Sequence, residues 1–301
     1  MAKAYVFYNP QAGNGQSVNA LETLKGYLKD EAIFCDMTQN DTYEKDILAM
    51  DGDDYIILCG GDGTLNRFIN RIASIEFGND VLYFPCGSGN DFAREFGKAK
   101  FDEPFSIKKY LTNLPTVEVN GETSLFINGM GYGIDGYCCE VGDKIRENSD
   151  KPVNYTSIAI KGCLFGYKPA NVRVTVDGVT TEYKKAWIAP TMKGKYYGGG
   201  IMPAPAQDRG SEDGKLSVTI FHGTGRLRTL MIFPSLFKGE HLKYTKNIAI
   251  LTGHEITVAY DEPRPAQIDG ETVLNVTSYT ARSNCAAAKK ANITEEASVE
   301  N

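Results

Sequence analysis

YIILCGGDGTLNRFINRIAS, residues 55–74, sets a strand, a glycine turn and a helix in direct succession. Tyr55 to Cys59 is a short continuous apolar run of strand type, Leu65 to Ser74 reads as a helix, and between them glycines surround Asp62. Glycine lets a backbone take positive φ and approach a ligand with no Cβ in the way. The start of the helix adds unpaired N–H groups that favour an anion, so the turn reads as a phosphate cradle. An ordinary strand-to-helix turn needs one glycine, not three around a carboxylate. Asp62 beside phosphate calls for a divalent cation or a transferable proton between the two negative groups.

The same alternation continues on both sides. Ala4 to Tyr8, Ala32 to Thr38 and Val81 to Pro85 read as strands, and Ser17 to Lys29, Thr42 to Met50 and Asp91 to Phe96 as helices. Such βαβα order gives an α/β domain with a parallel, doubly wound sheet, whose ligands sit beyond the carboxyl ends of the strands. Two further glycine loops fall at those ends. Asn9 to Gly15 follows the first strand and, taken alone, is equally a plain turn. Gly87-Ser88-Gly89-Asn90-Asp91 follows the fourth strand, with Asn90 or Asp91 available as a helix cap. Together the loops favour phosphate binding, and Gly61→Val or Gly87→Val is expected to exclude a nucleotide while sparing the fold.

From about residue 121 the texture becomes β-rich. Val172 to Val176, Asp177-Gly178 and Glu182 to Pro190 spell a hairpin, and Val218 to Phe221, Ile248 to Leu251, Glu255 to Tyr260 and Val273 to Tyr279 add strands. Helical insertions are expected around Ile134 to Arg146, Tyr155 to Gly166 and Leu227 to Lys238. The expected organisation is an α/β domain over 1–120, a β-sandwich domain with helical insertions over 121–282, and a disordered tail over 283–301.

The 301 residues are 42% hydrophobic and 23% charged, which suits folded domains and excludes a disordered or fibrous chain. No apolar run reaches the roughly 18 residues that span a bilayer, and the amino-terminal residues lack the pattern of a signal peptide, so a cytoplasmic protein is expected. Net charge is −6, with 11 Lys+Arg against 18 Asp+Glu in residues 1–120, which argues against a nucleic-acid partner. Seven cysteines without CxxC spacing read as reduced thiols. His222, His241 and His254 are too scattered to form a cluster. The segment RLRTLMIFPSLFKGEHLKYTK, residues 226–246, sets five basic residues against Glu240. A core-facing helix interrupted near Pro234 explains it, and peripheral contact with an anionic membrane is the alternative.

GGDGTLN (60–66), FPCGSGNDFAR (84–94), NGMGYGIDG (128–136) with Glu140, GGGIMPAPAQDRGSEDGKLSV (198–218), KGEH (238–241) and QIDGE (267–271) together resemble the diacylglycerol kinase catalytic-domain family, which includes bacterial lipid kinases and sphingosine kinases. The resemblance runs over about residues 3 to 281, with the motifs in the family's order. GGDG alone also occurs in NAD kinases and, in a related form, in 6-phosphofructokinases, which share this type of nucleotide-binding domain. The resemblance implies an ATP-dependent, magnesium-requiring kinase acting on a lipid hydroxyl, with ATP in a cleft between an α/β domain and a β-sandwich. It implies nucleotide contacts at Asn9, Gly13, Gly15, Thr38, Gly60, Gly61, Asp62, Gly63, Thr64, Asn66 and Ser88, alongside Gly87 and Asn90 of the third loop. Asp62 and Asp91 resemble the carboxylates that organise catalytic Mg2+, directly or through water, and Asp213 resembles a structural Mg2+ ligand.

Phosphoryl transfer to an alcohol also needs an acceptor for the hydroxyl proton. Bacterial lipid kinases assign it to the DGE segment, here Asp269 and Glu271, whereas sphingosine kinases use the aspartate of the GGDG-type motif, here Asp62. Asp269 and Glu271 share a face only if the backbone is extended there, and Asp-Gly equally spells a turn. The competing functions are an NAD kinase-like enzyme and a catalytically silent nucleotide-binding regulator. A homodimer is left open.

Overall fold

The computed structural model describes residues 2–10, 17–39, 43–148 and 153–284. The chain divides into two compact units, Met1–Thr112 and Asn113–Asn301.

The first unit runs β1 (Lys3–Tyr8), α1 (Ser17–Lys25), β2 (Glu31–Asp36), α2 (Tyr43–Leu48), β3 (Tyr55–Gly60), α3 (Asp62–Arg71), β4 (Asp80–Pro85), α4 (Asp91–Glu95) and β5 (Phe105–Ser106). The sheet order is β2-β1-β3-β4-β5, with β1 to β4 parallel and β5 antiparallel at the edge. Successive side chains of a strand face opposite ways, and β1 uses both faces. Val6 packs with Ala20, Leu24 and Ile57, while Phe7 meets the rings of Tyr43 and Phe68. That double covering is why Tyr55 to Cys59 reads as an unbroken apolar run. Because β1 to β4 point the same way, the residues just past each strand gather along one edge. α3 starts at Asp62 and not at Leu65 as the sequence suggests, because Leu65 N already donates to Gly61 O at 3.0 Å. Gly63 therefore belongs to the first helical turn.

The second unit is built on an antiparallel sheet of β6 (Thr116–Val119), β7 (Glu122–Leu125), β8 (Gly129–Tyr132), β9 (Ala170–Val176), β10 (Val179–Ala186), β11 (Thr191–Met192), β12 (Leu216–Phe221), β13 (Ile248–Gly253), β14 (Glu255–Ile268) and β15 (Glu271–Arg282). The main path is β13-β12-β11-β8-β14-β15-β6-β7, and β9 with β10 branches from it at β14. The long β14 pairs with β9 through Ile256–Tyr260 and with β8 through Ala266–Ile268. The sheet thereby folds over a core that includes Val117, Phe126, Tyr132, Val174, Val218, Ile256 and Tyr279, a sandwich-like arrangement. Three helices are inserted: α5 (Ile134–Asn148), α6 (Tyr155–Lys161) running into a π turn at Gly162–Gly166, and α7 (Arg226–Ile232), which leads into 3-10 turns at Phe233–Lys238 and Glu240–Lys243. They pack through Ile158, Cys163, Tyr167, Ile232 and Leu236.

Two expected boundaries move. The first unit ends at Thr112 and not at residue 120, because β6 pairs with β15 from Thr116↔Arg282 to Val119↔Tyr279. Ser283, expected to open the tail, is instead buried and donates from N to His254 O and from Oγ to Gly214 O, each at 2.8 Å. Residues 285–301 lie outside the described residues, as do Gly13 and Gly15.

Candidate active site

In the first unit, the loops after β3 and β4 touch through their backbones. A Cβ on Gly61 would meet Gly87 Cα at 2.9 Å, and one on Gly87 would overlap Gly61 Cα and press on Asn90 Oδ1. Either valine substitution would therefore push the loops apart, which overturns the expectation that the fold is spared. A Cβ on Gly60 would likewise overlap the Thr64 side chain. Asn90 has left-handed backbone (φ 51) and closes its turn, accepting from Gly87 N and donating from Nδ2 to Gly87 O, both at 2.9 Å.

Asn90 does not cap α4 with its side chain; Asp62 reaches across to that helix start. Asp62 Oδ2 accepts from Asp91 N at 3.0 Å and Oδ1 from Phe92 N at 2.9 Å. A carboxylate suits those positions because helix-start N–H groups carry partial positive charge. Tyr83, wholly buried, donates to Gly60 O at 3.1 Å; burial first, and then the negative charge of Asp62, hold its phenol well above the usual range. The remaining residues lie just past the strand ends. Asn9 comes directly after β1, and Thr38 after β2, where its N and Oγ1 both donate to Asp36 Oδ1. Thr64 and Asn66 are buried on α3, Ser88 is exposed and Asp91 is buried.

In the second unit, Asp269 and Gly270 both have positive φ, 47° and 98°, and Ile268 pairs with Glu271. These are the marks of a two-residue hairpin turn. The turn separates Asp269 from Glu271. Asp269 is buried, with Oδ2 accepting from Ile127 N at 2.7 Å and Oδ1 from Asn128 N at 2.8 Å and Gly129 N at 2.9 Å. Glu271 is exposed at the start of β15. Sequence reasoning missed Arg209, a buried guanidinium in the QDRG segment that donates to Ile127 O at 2.8 Å and Asn128 Oδ1 at 2.9 Å. Asp269 and Arg209 thus grip the same short loop from its N–H and C=O sides.

Asp213 sits in an exposed turn, accepting from Ser211 Oγ at 2.5 Å and Lys215 N at 3.2 Å, with Lys215 Nζ at 3.5 Å from its other oxygen. The Ser211 hydroxyl, then the Lys215 amide, draw its carboxyl below the usual value. A cation there would have to displace the lysine. His241 is fully buried against Pro203 O at 2.9 Å, a packing role. Asp135, at the start of α5, is a further carboxylate the sequence reading passed over, a half-buried residue whose Oδ2 is shielded from solvent. Burial pushes it up to about 6 against the opposing pull of the Gly136 N–H and the Tyr197 hydroxyl. Among the described residues no three His, Cys, Asp or Glu side chains come together to hold a metal ion by themselves.

Residues 3–117 match the diacylglycerol kinase catalytic domain, and residues 129–285 match the YegS C-terminal NAD kinase beta sandwich-like domain. The chain belongs to the diacylglycerol kinase catalytic-domain family, and its class is that of a lipid kinase. It is similar to a diacylglycerol kinase of Mycobacterium tuberculosis, 26% identical over 255 residues that cover 81% of each chain. Its fold is similar to the crystal structure of a diacylglycerol kinase from Bacillus anthracis, with a TM-score of 0.58 at 20% identity over 94% of each chain.

Proposed function

We propose that this chain transfers the γ-phosphate of ATP to the hydroxyl of a lipid, with diacylglycerol or a sphingoid base as acceptor. The observation that carries the reading is the pair of back-to-back glycine loops joined by Asp62, which sit just past the ends of the neighbouring parallel strands β3 and β4. Gly60 to Thr64, Asn66, Gly87 and Ser88, with Asn9 and Thr38 just past the ends of β1 and β2, are the nucleotide contacts in this reading. Asp62, whose carboxylate accepts from Asp91 N, and Asp91 itself would hold Mg2+, which would supply charge neutralisation on the phosphates. The donor set fits, because Mg2+ ordinarily uses one or two carboxylates and takes its remaining ligands from water and phosphate.

Glu271 is the better candidate for the proton acceptor. Asp269 is buried in the turn, while Glu271 is exposed at the start of β15, where an acceptor hydroxyl can reach it. The lipid oxygen bonds to the γ-phosphorus, its proton passes to Glu271, and the bond to the bridging oxygen breaks to release ADP. Asp213 stays a candidate for a structural Mg2+. Its test is the melting temperature with saturating Mg2+ against chelator, where equality leaves only the turn.

The test of the whole reading is transfer of labelled phosphate from ATP to diacylglycerol, sphingosine, ceramide, undecaprenol and NAD. Labelled lipid with unlabelled NAD is expected. Labelled NAD alone would replace this reading with an NAD kinase, and no labelled acceptor with intact ATP binding would favour a silent regulator.

A further inference from the structure

The helical layer of the second unit carries a face that its core does not explain. In α7, Thr229 and Ile232 point inward, while Leu227 and Met231, four residues apart on the outer side, are 75% and 72% exposed. The segment expected to face the core therefore has apolar residues on both sides. Next to it, the π turn at Gly162–Gly166 presents Phe165 at 82% exposure. Phe165 is not exposed by looseness. Gly162 and Gly166 sit close against the Tyr137 ring, and Arg226 of α7 donates to Cys163 O at 2.8 Å and Tyr167 O at 3.0 Å. Ile160, Phe237 and Leu242 extend the exposed apolar surface on adjoining elements.

The charge of these elements is one-sided. Residues 155–168 and 226–246 hold seven Lys or Arg against the single acid Glu240, on a chain whose net charge is −6. Lys161, Lys168, Arg228, Lys238, Lys243 and Lys246 are all exposed. Long basic side chains around protruding aliphatic and aromatic groups suit a surface that is anionic at the top and apolar just beneath. A second copy of the chain suits it poorly, because a two-fold contact would bring this positive face against itself.

We propose that this face, centred on Phe165, Leu227 and Met231, docks the protein on an anionic lipid bilayer. The proposal rests on the lipid-kinase reading for the bilayer as the place where the acceptor is found, and its test needs no turnover. Full-length protein is sedimented with vesicles of phosphatidylcholine and phosphatidylglycerol at 3:1, and with phosphatidylcholine alone. Binding to the anionic vesicles only, weakened by 0.5 M NaCl, is expected. Phe165→Ser with Leu227→Ser should weaken that binding at least tenfold, and Lys238→Glu with Lys246→Glu should do the same. Both variants should keep the wild-type melting temperature and the wild-type rate on a dispersed short-chain acceptor. Failure of wild type to sediment with anionic vesicles, or equal sedimentation of the Ser variant, would overturn the proposal. So would a wild-type dimer that Phe165→Ser with Leu227→Ser dissociates. Vesicle binding without any phosphoryl transfer would sink the kinase reading and leave the docking face standing.

Discussion

At the ends of β3 and of β14 the chain carries the same dipeptide, Asp-Gly after an apolar strand, and folds it in two ways. Gly61 stays extended and Asp62 opens a helix, whereas Asp269 takes left-handed backbone and the chain turns straight back. The segment beyond each dipeptide decides the difference: Thr64 to Arg71 continues as a helix beside a parallel sheet, while Glu271 to Arg282 pairs antiparallel with the strand just left. Yet both carboxylates do similar work, accepting backbone N–H groups of a remote segment. Asp62 takes two from residues about 30 positions away, and Asp269 three from residues about 140 away. A carboxylate in a motif of this kind is a clamp before it is a reagent.

Asp269→Ala probes the two clamps with the largest expected loss of stability. Three N–H groups at a buried carboxylate would lose their acceptor at about 1–3 kcal/mol each, so several kcal/mol should vanish from the urea unfolding free energy. A loss below about 1 kcal/mol would show that the loop at Ile127–Gly129 finds water instead.

Gly87→Ala comes next, because its methyl would overlap Gly61 Cα. A cost of about 1–3 kcal/mol is expected without nucleotide, with weakened ATP binding besides. Normal melting with lost ATP affinity would mean that the glycine serves the ligand and not the backbone contact.

Asp135 adds to the pair a half-buried carboxylate raised to about 6. Its folded pKa lies above the unfolded value of 3.8, so its contribution is fully present below pH 4 and is lost as pH rises through 6. Asp135→Asn should flatten stability across that window and gain about 1–3 kcal/mol at pH 7.5. Denaturant midpoints at pH 4.5 and 7.5 would read this, and an unchanged slope would assign the titration elsewhere.

Asp62→Asn keeps one acceptor oxygen for α4 and should cost about 1 kcal/mol in folding, with a clear loss of Mg2+-ATP affinity. Glu271→Gln should leave stability within about 0.5 kcal/mol while turnover falls roughly 10²–10⁴-fold at preserved ATP affinity. Full turnover by Glu271→Gln, with Asp62→Asn dead yet still binding Mg2+-ATP, would return the proton acceptor to Asp62.

Features that rest on local pattern are legible in the order of amino acids alone. The α/β alternation through Asp91 to Phe96, the hairpin at Asp177-Gly178 and the glycine loops after β3 and β4 are all written in spacings of a few residues, because strand and helix periodicities and turn chemistry act at that range. The motif order from GGDGTLN to QIDGE pointed to the family for the same reason. Tertiary structure decided whatever depends on residues far apart in the chain. β6 belongs to the second unit only because Thr116 meets Arg282. Gly61 and Gly87 are confined by each other, Arg209 is bound to a loop some 80 residues earlier, and Asp269 parts from Glu271 because its carboxylate is drawn to the amides at Ile127–Gly129. Contacts of that kind leave no periodic trace: buried polar groups must find partners wherever the fold brings them, and only the assembled sheet sets which ones come within reach.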